Sequence, residues 1–344
     1  MAQKYLFFND YSEGAHPQVL KALETYNAGQ EPGYGEDSIT KKATELIRKR
    51  VGDEKAAVYF TSGGTQANIV VIASMLKHFE SVVAPKSAHI NTHEAGAIEA
   101  GGHKVDAVET SDGKITPEQI ESVVGAAMPI HMAKPRAVFI SNSTEVGTIY
   151  TKTELTQISE ICKRLSLYLY LDGARLGSAL TSTKNDLTLE DIAKLTDVFY
   201  IGGTKNAGAM GEAIIITNPD IANSFAFHLK QQGALLAKGR FIPAQFIALF
   251  ENNLFFDLAK HANAMAEKLT QGIGKLGFAF LTDAPSNQIF PILANTVIEK
   301  LEKLYGFYVW EEVDSQKSAL RLVTSWATPE EKVDEFLADL KKLI

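Results

Sequence analysis

Lys205 sits in a run of small residues, GGTKNAGAMG, and that setting gives its amine a chemistry of its own. Gly202, Gly203, Gly208 and Gly211 leave little side-chain bulk, so a ligand or a second backbone segment can approach closely. The apolar runs on either side, Val198 to Ile201 and Ala213 to Ile216, predict two short buried strands. A lysine held between them is partly desolvated, which lowers its pKa and frees a nucleophilic amine. By itself a lysine in a Gly-rich turn reads as a solvated residue. What changes the reading is Asp172, which ends the run LYLYLD 33 residues upstream. A buried carboxylate paired with a nucleophilic lysine is what pyridoxal 5'-phosphate needs. The amine forms the Schiff base, and the aspartate keeps the pyridine nitrogen protonated so that the ring acts as an electron sink.

Other residues extend that pattern. The segment FTSGGTQAN follows an apolar run and opens a helix, so Gly63, Gly64 and Thr65 can offer N–H groups and a hydroxyl to a phosphate. It lacks the Gly-Lys-Ser/Thr ending of a nucleotide P-loop. Arg321 lies inside LRLVTSW, where a charge within a strand pattern requires a buried anion or partner. Arg175 follows Asp172 closely enough to be a structural ion-pair partner instead. His89 and His93 have the i, i+4 spacing of a zinc pair, but no third ligand stands at a typical distance, so no metal is expected. Tyr168 and Tyr170 alternate ahead of Asp172 and read as sheet packing, and His103 and His131 as surface or loop residues.

These residues need a scaffold of strands that end together. Apolar strands are expected at 56–60, 81–84, 104–108, 137–141, 167–171, 198–201 and 213–217, with helices between several of them. Thr116-Pro117-Glu118-Gln119 and Thr151 with Glu154 are capping signals that start two of those helices. Alternating β and α units imply an α/β fold, a mostly parallel seven-stranded sheet with helices on both faces. Residues 1–35 read as an extended arm with one short helix near Pro17, and residues 38–50 as a helix. A long helix is expected over 243–276. Beyond it, strands near 278–281, 307–310 and 320–324 with helices at 292–304 and 329–343 form a smaller α+β domain. The division expected is 1–250 for the arm and large cofactor-binding domain and 251–344 for the small C-terminal domain.

Composition narrows the partners. A net charge of −7 and a pI near 5.7 argue against nucleic acid or an anionic membrane as the main partner. A single cysteine, Cys162, cannot close an internal disulfide, and a reducing cytoplasm is expected. The N-terminal residues lack the apolar core of a signal peptide, and the longest apolar run is too short to span a bilayer.

SGGTQAN, AHINTHEAGA, TEVGTIY, LDGARL and GGTKN, in this order, resemble the threonine aldolases, within the larger group of aromatic amino acid β-eliminating lyases and threonine aldolases. The resemblance runs from about Asn9 to Trp326 and is similar to the bacterial low-specificity L-threonine aldolase branch. It implies the aspartate aminotransferase-like fold and retro-aldol cleavage of L-threonine or L-allo-threonine to glycine and acetaldehyde. A β-eliminating lyase acting on another amino acid, and a catalytically silent protein of the same fold, are the alternatives. The resemblance makes Lys205 the cofactor lysine and Asp172 the partner of the pyridine nitrogen. Gly64, Thr65 and Thr204 become cofactor contacts, and His89 is stacked on the ring. Arg175 and Arg321 would bind the substrate carboxylate. Tyr34 matches a tyrosine near the site, donated across a subunit interface, so a homodimer or homotetramer is implied. Asn9 replaces a serine contact to the carboxylate. Glu145 lies in the segment where many members carry a histidine, and His93 stands where others carry an aromatic residue beside the substrate.

Overall fold

The computed structural model describes residues 4–126 and 129–344. A short strand β1 (Tyr5–Leu6) opens it, followed by a helix at Pro17–Thr25 and another at Ser38–Val51. Then come β2 (Ala57–Thr61), β3 (Glu80–Pro85), β4 (Lys104–Val108), β5 (Lys134–Ser141), β6 (Tyr168–Asp172), β7 (Val198–Gly202) and β8 (Glu212–Ile216). Among the described residues these seven form one sheet in the order β2-β8-β7-β6-β5-β3-β4. Pairing is parallel from β4 through β7, while β8 runs antiparallel to both β7 and β2. The seven expected strands are all present, and the hairpin of β7 and β8 carries Lys205 in its connection.

The sheet is buried on both faces, which is why its central strands read as unbroken apolar runs. One face packs Val83, Val138, Ile140, Leu169, Leu171, Phe199, Ile201 and Ile215 against helices that include Lys152–Arg164 and Phe241–Glu251. The other packs Val82, Phe139, Tyr170, Tyr200 and Ile214 under the helices Gly64–Met75 and Pro219–Gln231. The capping box expected at Thr151 and Glu154 is formed in both directions. Parallel strands must end at one edge, and β3, β5, β6 and β7 all deliver their last residues there.

The expected helix over 243–276 is two helices, Phe241–Glu251 and Leu254–Lys275. Asn253 separates them with φ 64°, a left-handed conformation that asparagine tolerates better than most residues. The second part of the chain holds β9 (Gln288–Ile289), β10 (Ile292–Ala294), β11 (Tyr305–Gly306), β12 (Tyr308–Asp314) and β13 (Lys317–Val323). The strand expected near 278–281 is reduced to one bridge, Phe280 to Pro291. The helix expected over 292–304 is shorter, Asn295–Leu301, because Ile292–Ala294 pairs with β13 instead. The helix Glu330–Leu343 closes the chain.

The apolar cluster of this part joins Met265, Leu269 and Ile273 to Leu293, Leu320, Leu322, Val333, Phe336 and Leu340. Phe7 belongs to it as well, and β1 pairs in parallel with β11, so the start of the chain is built into the C-terminal core. The helix Leu254–Lys275 spans both bodies, with Phe255 in the first cluster and Leu269 in the second. No helix among the described residues is long and apolar enough to cross a membrane.

Candidate active site

A cavity of 390 Å³ opens where the parallel strands end, lined by Lys205, Asp172, Glu212, His89, Arg175 and Arg321 among others. Asp172 is the last residue of β6 and is buried. Its Oδ1 accepts from the Tyr200 hydroxyl at 2.5 Å and the Ala174 N–H at 2.9 Å, and its Oδ2 accepts from Asn68 Nδ2 at 3.2 Å. Gly173 follows because nothing larger fits, since a Cβ there would lie 1.8 Å from the Tyr200 carbonyl oxygen. Tyr170 does more than pack: its hydroxyl donates to Asn68 Oδ1 at 2.7 Å and fixes the amide that holds Asp172.

Lys205 lies in the turn between β7 and β8, and its side chain makes no hydrogen bond among the described residues. Burial lowers its pKa and the Arg175 guanidinium lowers it further. The carboxylates of Asp10, Asp172 and Glu212 oppose this without cancelling it. The amine is thereby eased toward its neutral, nucleophilic form.

The helix Gly64–Met75 starts at the cavity with Gly63 in the N-cap position and no side-chain cap. Its first N–H groups therefore point at open space, together with the dipole of a twelve-residue helix. Ser143 contributes a buried hydroxyl to the same cavity that has no partner among the described residues. Thr65, Gly64 and Thr204 all line it. An uncapped helix end, an orphaned hydroxyl, a desolvated lysine and a carboxylate with a free lone pair fit the phosphate, aldehyde and ring nitrogen of pyridoxal phosphate.

His89 begins a four-residue helix, His89–Thr92, and faces the cavity. Its Nδ1 lies 2.7 Å from the buried Glu94 carboxylate, and Glu94 accepts from Asn68 at 2.6 Å through the same oxygen. A hydrogen-bonded path thus runs from His89 through Glu94 and Asn68 to Asp172. With Nδ1–H donated to a carboxylate, Nε2 carries the lone pair. His93 stacks on His89 at 5.5 Å between ring centroids, and Trp310 lies parallel to His93 at 6.4 Å.

The two arginines differ. Arg175 is occupied, because Nε and Nη2 donate to the two Asp10 oxygens at 2.7 and 3.0 Å. Burial raises the Asp10 pKa, but Arg175 and Lys205 outweigh it and hold the carboxyl below its ordinary value. Asn287 also donates to Asp10 at 2.9 Å. Arg321 bonds only to Gln288 Oε1, at 2.7 and 3.2 Å, and has no carboxylate partner among the described residues. Burial and the charge of Arg175 bring its pKa down to about 10. A buried guanidinium still charged and still lacking an anion is a site for one.

Two expected substrate contacts lie elsewhere. Asn9 caps its own turn, its Oδ1 accepting from the Tyr11 N–H and the Ser12 hydroxyl at 3.0 Å each, while Tyr11 takes the place in the cavity wall. Tyr34 is exposed on a different cavity of 590 Å³, lined also by Phe60, Leu235 and Ile242, with the Lys230 ammonium over its ring. His103 is buried and stacked on His78, not at the surface.

Two carboxylates of the cavity wall were not read from the sequence as site residues, the half-buried Glu145 and the buried Glu212. Burial raises the pKa of Glu145, whose Oε1 accepts from Ser141 Oγ at 2.7 Å and the His89 N–H at 3.0 Å. Glu212 opens β8, accepts from the Gly203 N–H at 2.7 Å, and is raised by burial to about 7. A charged residue opening the apolar run EAIIIT was the available signal for the latter.

The sheet order and the site at its strand ends are those of the aspartate aminotransferase-like fold. An aspartate aminotransferase of Thermus thermophilus superposes with a TM-score of 0.74 at 14% identity, covering 99% of this chain and 92% of that one. Residues 10–296 match the beta-eliminating lyase family, and the chain belongs to that family. A threonine aldolase of Leishmania major is 47% identical, with a TM-score of 0.97 over 98% of this chain and 99% of that one. The low specificity L-threonine aldolases of Pseudomonas sp. (strain NCIMB 10558) and Pseudomonas aeruginosa are 34% and 33% identical. The matches cover 99% and 97% of this chain and 99% and 96% of theirs.

Proposed function

We propose that the protein is a pyridoxal phosphate-dependent threonine aldolase, cleaving L-threonine, L-allo-threonine and related β-hydroxy amino acids to glycine and an aldehyde. The observation that carries this is the desolvated Lys205 beside Asp172 in a cavity closed by the anion-seeking Arg321, in a chain this similar to threonine aldolases. Pyridoxal phosphate, when bound, supplies the sink for the electron pair left on Cα as the bond to Cβ breaks. Gly64, Thr65, Thr204 and the Ser143 hydroxyl are the groups to hold its phosphate, Lys205 its aldehyde carbon and Asp172 its ring nitrogen.

The chain's own residues set up the cleavage. Arg321, held flat by Gln288, takes the substrate carboxylate, and the Asp10-bound Arg175 adds positive charge beside it. His89 Nε2 accepts the proton of the β-hydroxyl, because Glu94 keeps the proton of the imidazole on Nδ1. Lys205, whose amine burial eases toward the neutral form, would be the group to move the proton at Cα. Tyr34 is assigned to the site of a second subunit, in a homodimer or homotetramer working in the cytoplasm.

Purified protein loaded with the cofactor is to be given a panel of β-hydroxy amino acids. Release of glycine and the matching aldehyde in equal amounts supports the assignment. Release of ammonia and the matching 2-oxo acid instead would make the enzyme an eliminating lyase.

A further inference from the structure

Trp310 is the residue that the established parts of the site do not use. It belongs to β12, and the pairing of β12 with β13 skips it: Val309 faces Leu320 and Glu311 faces Ala319, with a register shift between them. An extra residue of this kind is a β-bulge, which turns one side chain away from the alternation of its strand. Here the bulge turns the indole into the cavity, which it lines.

Three neighbours fix the ring. Phe290 meets it edge-on at 5.4 Å and 65°, the Arg321 guanidinium lies 5.3 Å from its centroid, and His93 lies parallel to it within 6°. Burial lowers the His93 pKa, and His89, Arg321 and Lys205 lower it further, which favours the uncharged imidazole facing the indole. Trp310 therefore stands between the arginine that anchors the carboxylate and the histidine pair that reaches the hydroxyl. In a substrate whose carboxylate is at Arg321, Cβ and its substituent can reach His89, His93 and Trp310, which line the same cavity.

We propose that Trp310 is a specificity-determining residue. On the proposed aldolase reading, its indole and the His93 ring form an aromatic wall that receives the β-substituent and favours planar, aryl-bearing substrates over methyl-bearing ones. Aromatic faces stabilise an aryl group by offset or edge contacts in addition to area burial, whereas a methyl group gains little from them.

The test compares wild type with Trp310→Ala and Trp310→Phe, all loaded with cofactor. Kinetics use threonine and 3-phenylserine; calorimetric titration uses 2-hydroxybutyrate and 3-phenyllactate, which carry the carboxylate and the methyl or phenyl group on Cβ but no amine to react. Trp310→Ala is expected to lower kcat/KM for phenylserine about tenfold more than for threonine, mostly through KM. Trp310→Phe is expected to restore most of the difference. Wild type is expected to bind phenyllactate at least about tenfold more tightly than 2-hydroxybutyrate, with that preference lost in Trp310→Ala. Equal losses for both substrates, or no phenyllactate preference in wild type, would overturn the proposal. The intact binding preference in a protein that cleaves neither amino acid would overturn the aldolase reading alone.

Discussion

Replacing Glu212 by glutamine should make the protein more stable, and only above a definite pH. Burial raises the Glu212 carboxyl from 4.5 to about 7, while the Gly203 N–H, Thr204 and Lys205 pull it down less strongly. An acid whose folded pKa exceeds its unfolded value contributes stability that is present below the unfolded pKa and is lost as pH rises through the folded one. The loss therefore develops between 4.5 and about 7 and is complete above that window. A shift of this size corresponds to about 3 kcal/mol of stability at the alkaline plateau, of which under about 1 kcal/mol has appeared by pH 5. Glutamine keeps an acceptor for the Gly203 N–H, 2.7 Å away in the wild type, and cannot ionise. Urea denaturation of cofactor-free wild type and Glu212→Gln at about pH 5 and about pH 8 should show the variant gaining about 2–3 kcal/mol between the two conditions. Parallel stability profiles would refute the reasoning. A wild type that is the more stable at pH 8 would mean that Lys205 holds the ionised Glu212 strongly enough to offset its burial.

Other outcomes follow from the same geometry. Asp10→Ala strands the buried Arg175 without its carboxylate and should cost about 3–5 kcal/mol, read from the urea midpoint; a cost under about 1 kcal/mol would mean that solvent reaches the pair. Lys205→Ala should fold, and borohydride reduction with peptide mapping should find no cofactor attached to it; wild-type label on any other lysine would sink the assignment. Asp172→Asn should slow exchange of the glycine α-proton in deuterated water by on the order of 10²-fold, and exchange at the wild-type rate would rule out its role. Glu94→Gln should lower kcat for every β-hydroxy substrate by about tenfold or more while sparing KM. A change confined to KM would move Glu94 out of the proton path.

The sheet was legible because burial on both faces writes its strands as continuous apolar runs, and β2 to β8 appear where those runs stand. Lys205 and Asp172 were legible because each ends or interrupts such a run, and a charge in that place needs a reason. Arg321 was read the same way, and the structure leaves it without an anion of its own. What escaped is set by contacts distant in the chain. Asn68 looks like an ordinary helix residue until Tyr170, Glu94 and Asp172 converge on it. Arg175 could be read as a substrate ligand or an ion-pair partner, and only the folding of residue 10 onto it shows which contact it makes in the free protein. Trp310 depends on a bulge, which is a property of two paired strands and not of either alone. The break at Asn253 was written in the sequence as Asn252-Asn253, but helical periodicity on both sides hid it.

The threading of the first residues into the last part of the chain has a consequence for synthesis. Strand β1 pairs with Tyr305 and Gly306, and Asp10 is held by Asn287 as well as Arg175. A nascent chain can assemble the large sheet once residue 216 has emerged, but at that stage Asp10 lacks half of its anchors. At ribosomal speeds the further hundred or so residues take roughly 5–20 s. During that interval the arm is free, Arg175 has no lasting partner, and the pocket around Lys205 is open on one side. The enzyme therefore becomes competent late, when its C-terminal segment captures its own beginning, and a bulky fusion ahead of Tyr5 would interfere with assembly more than one placed after Ile344.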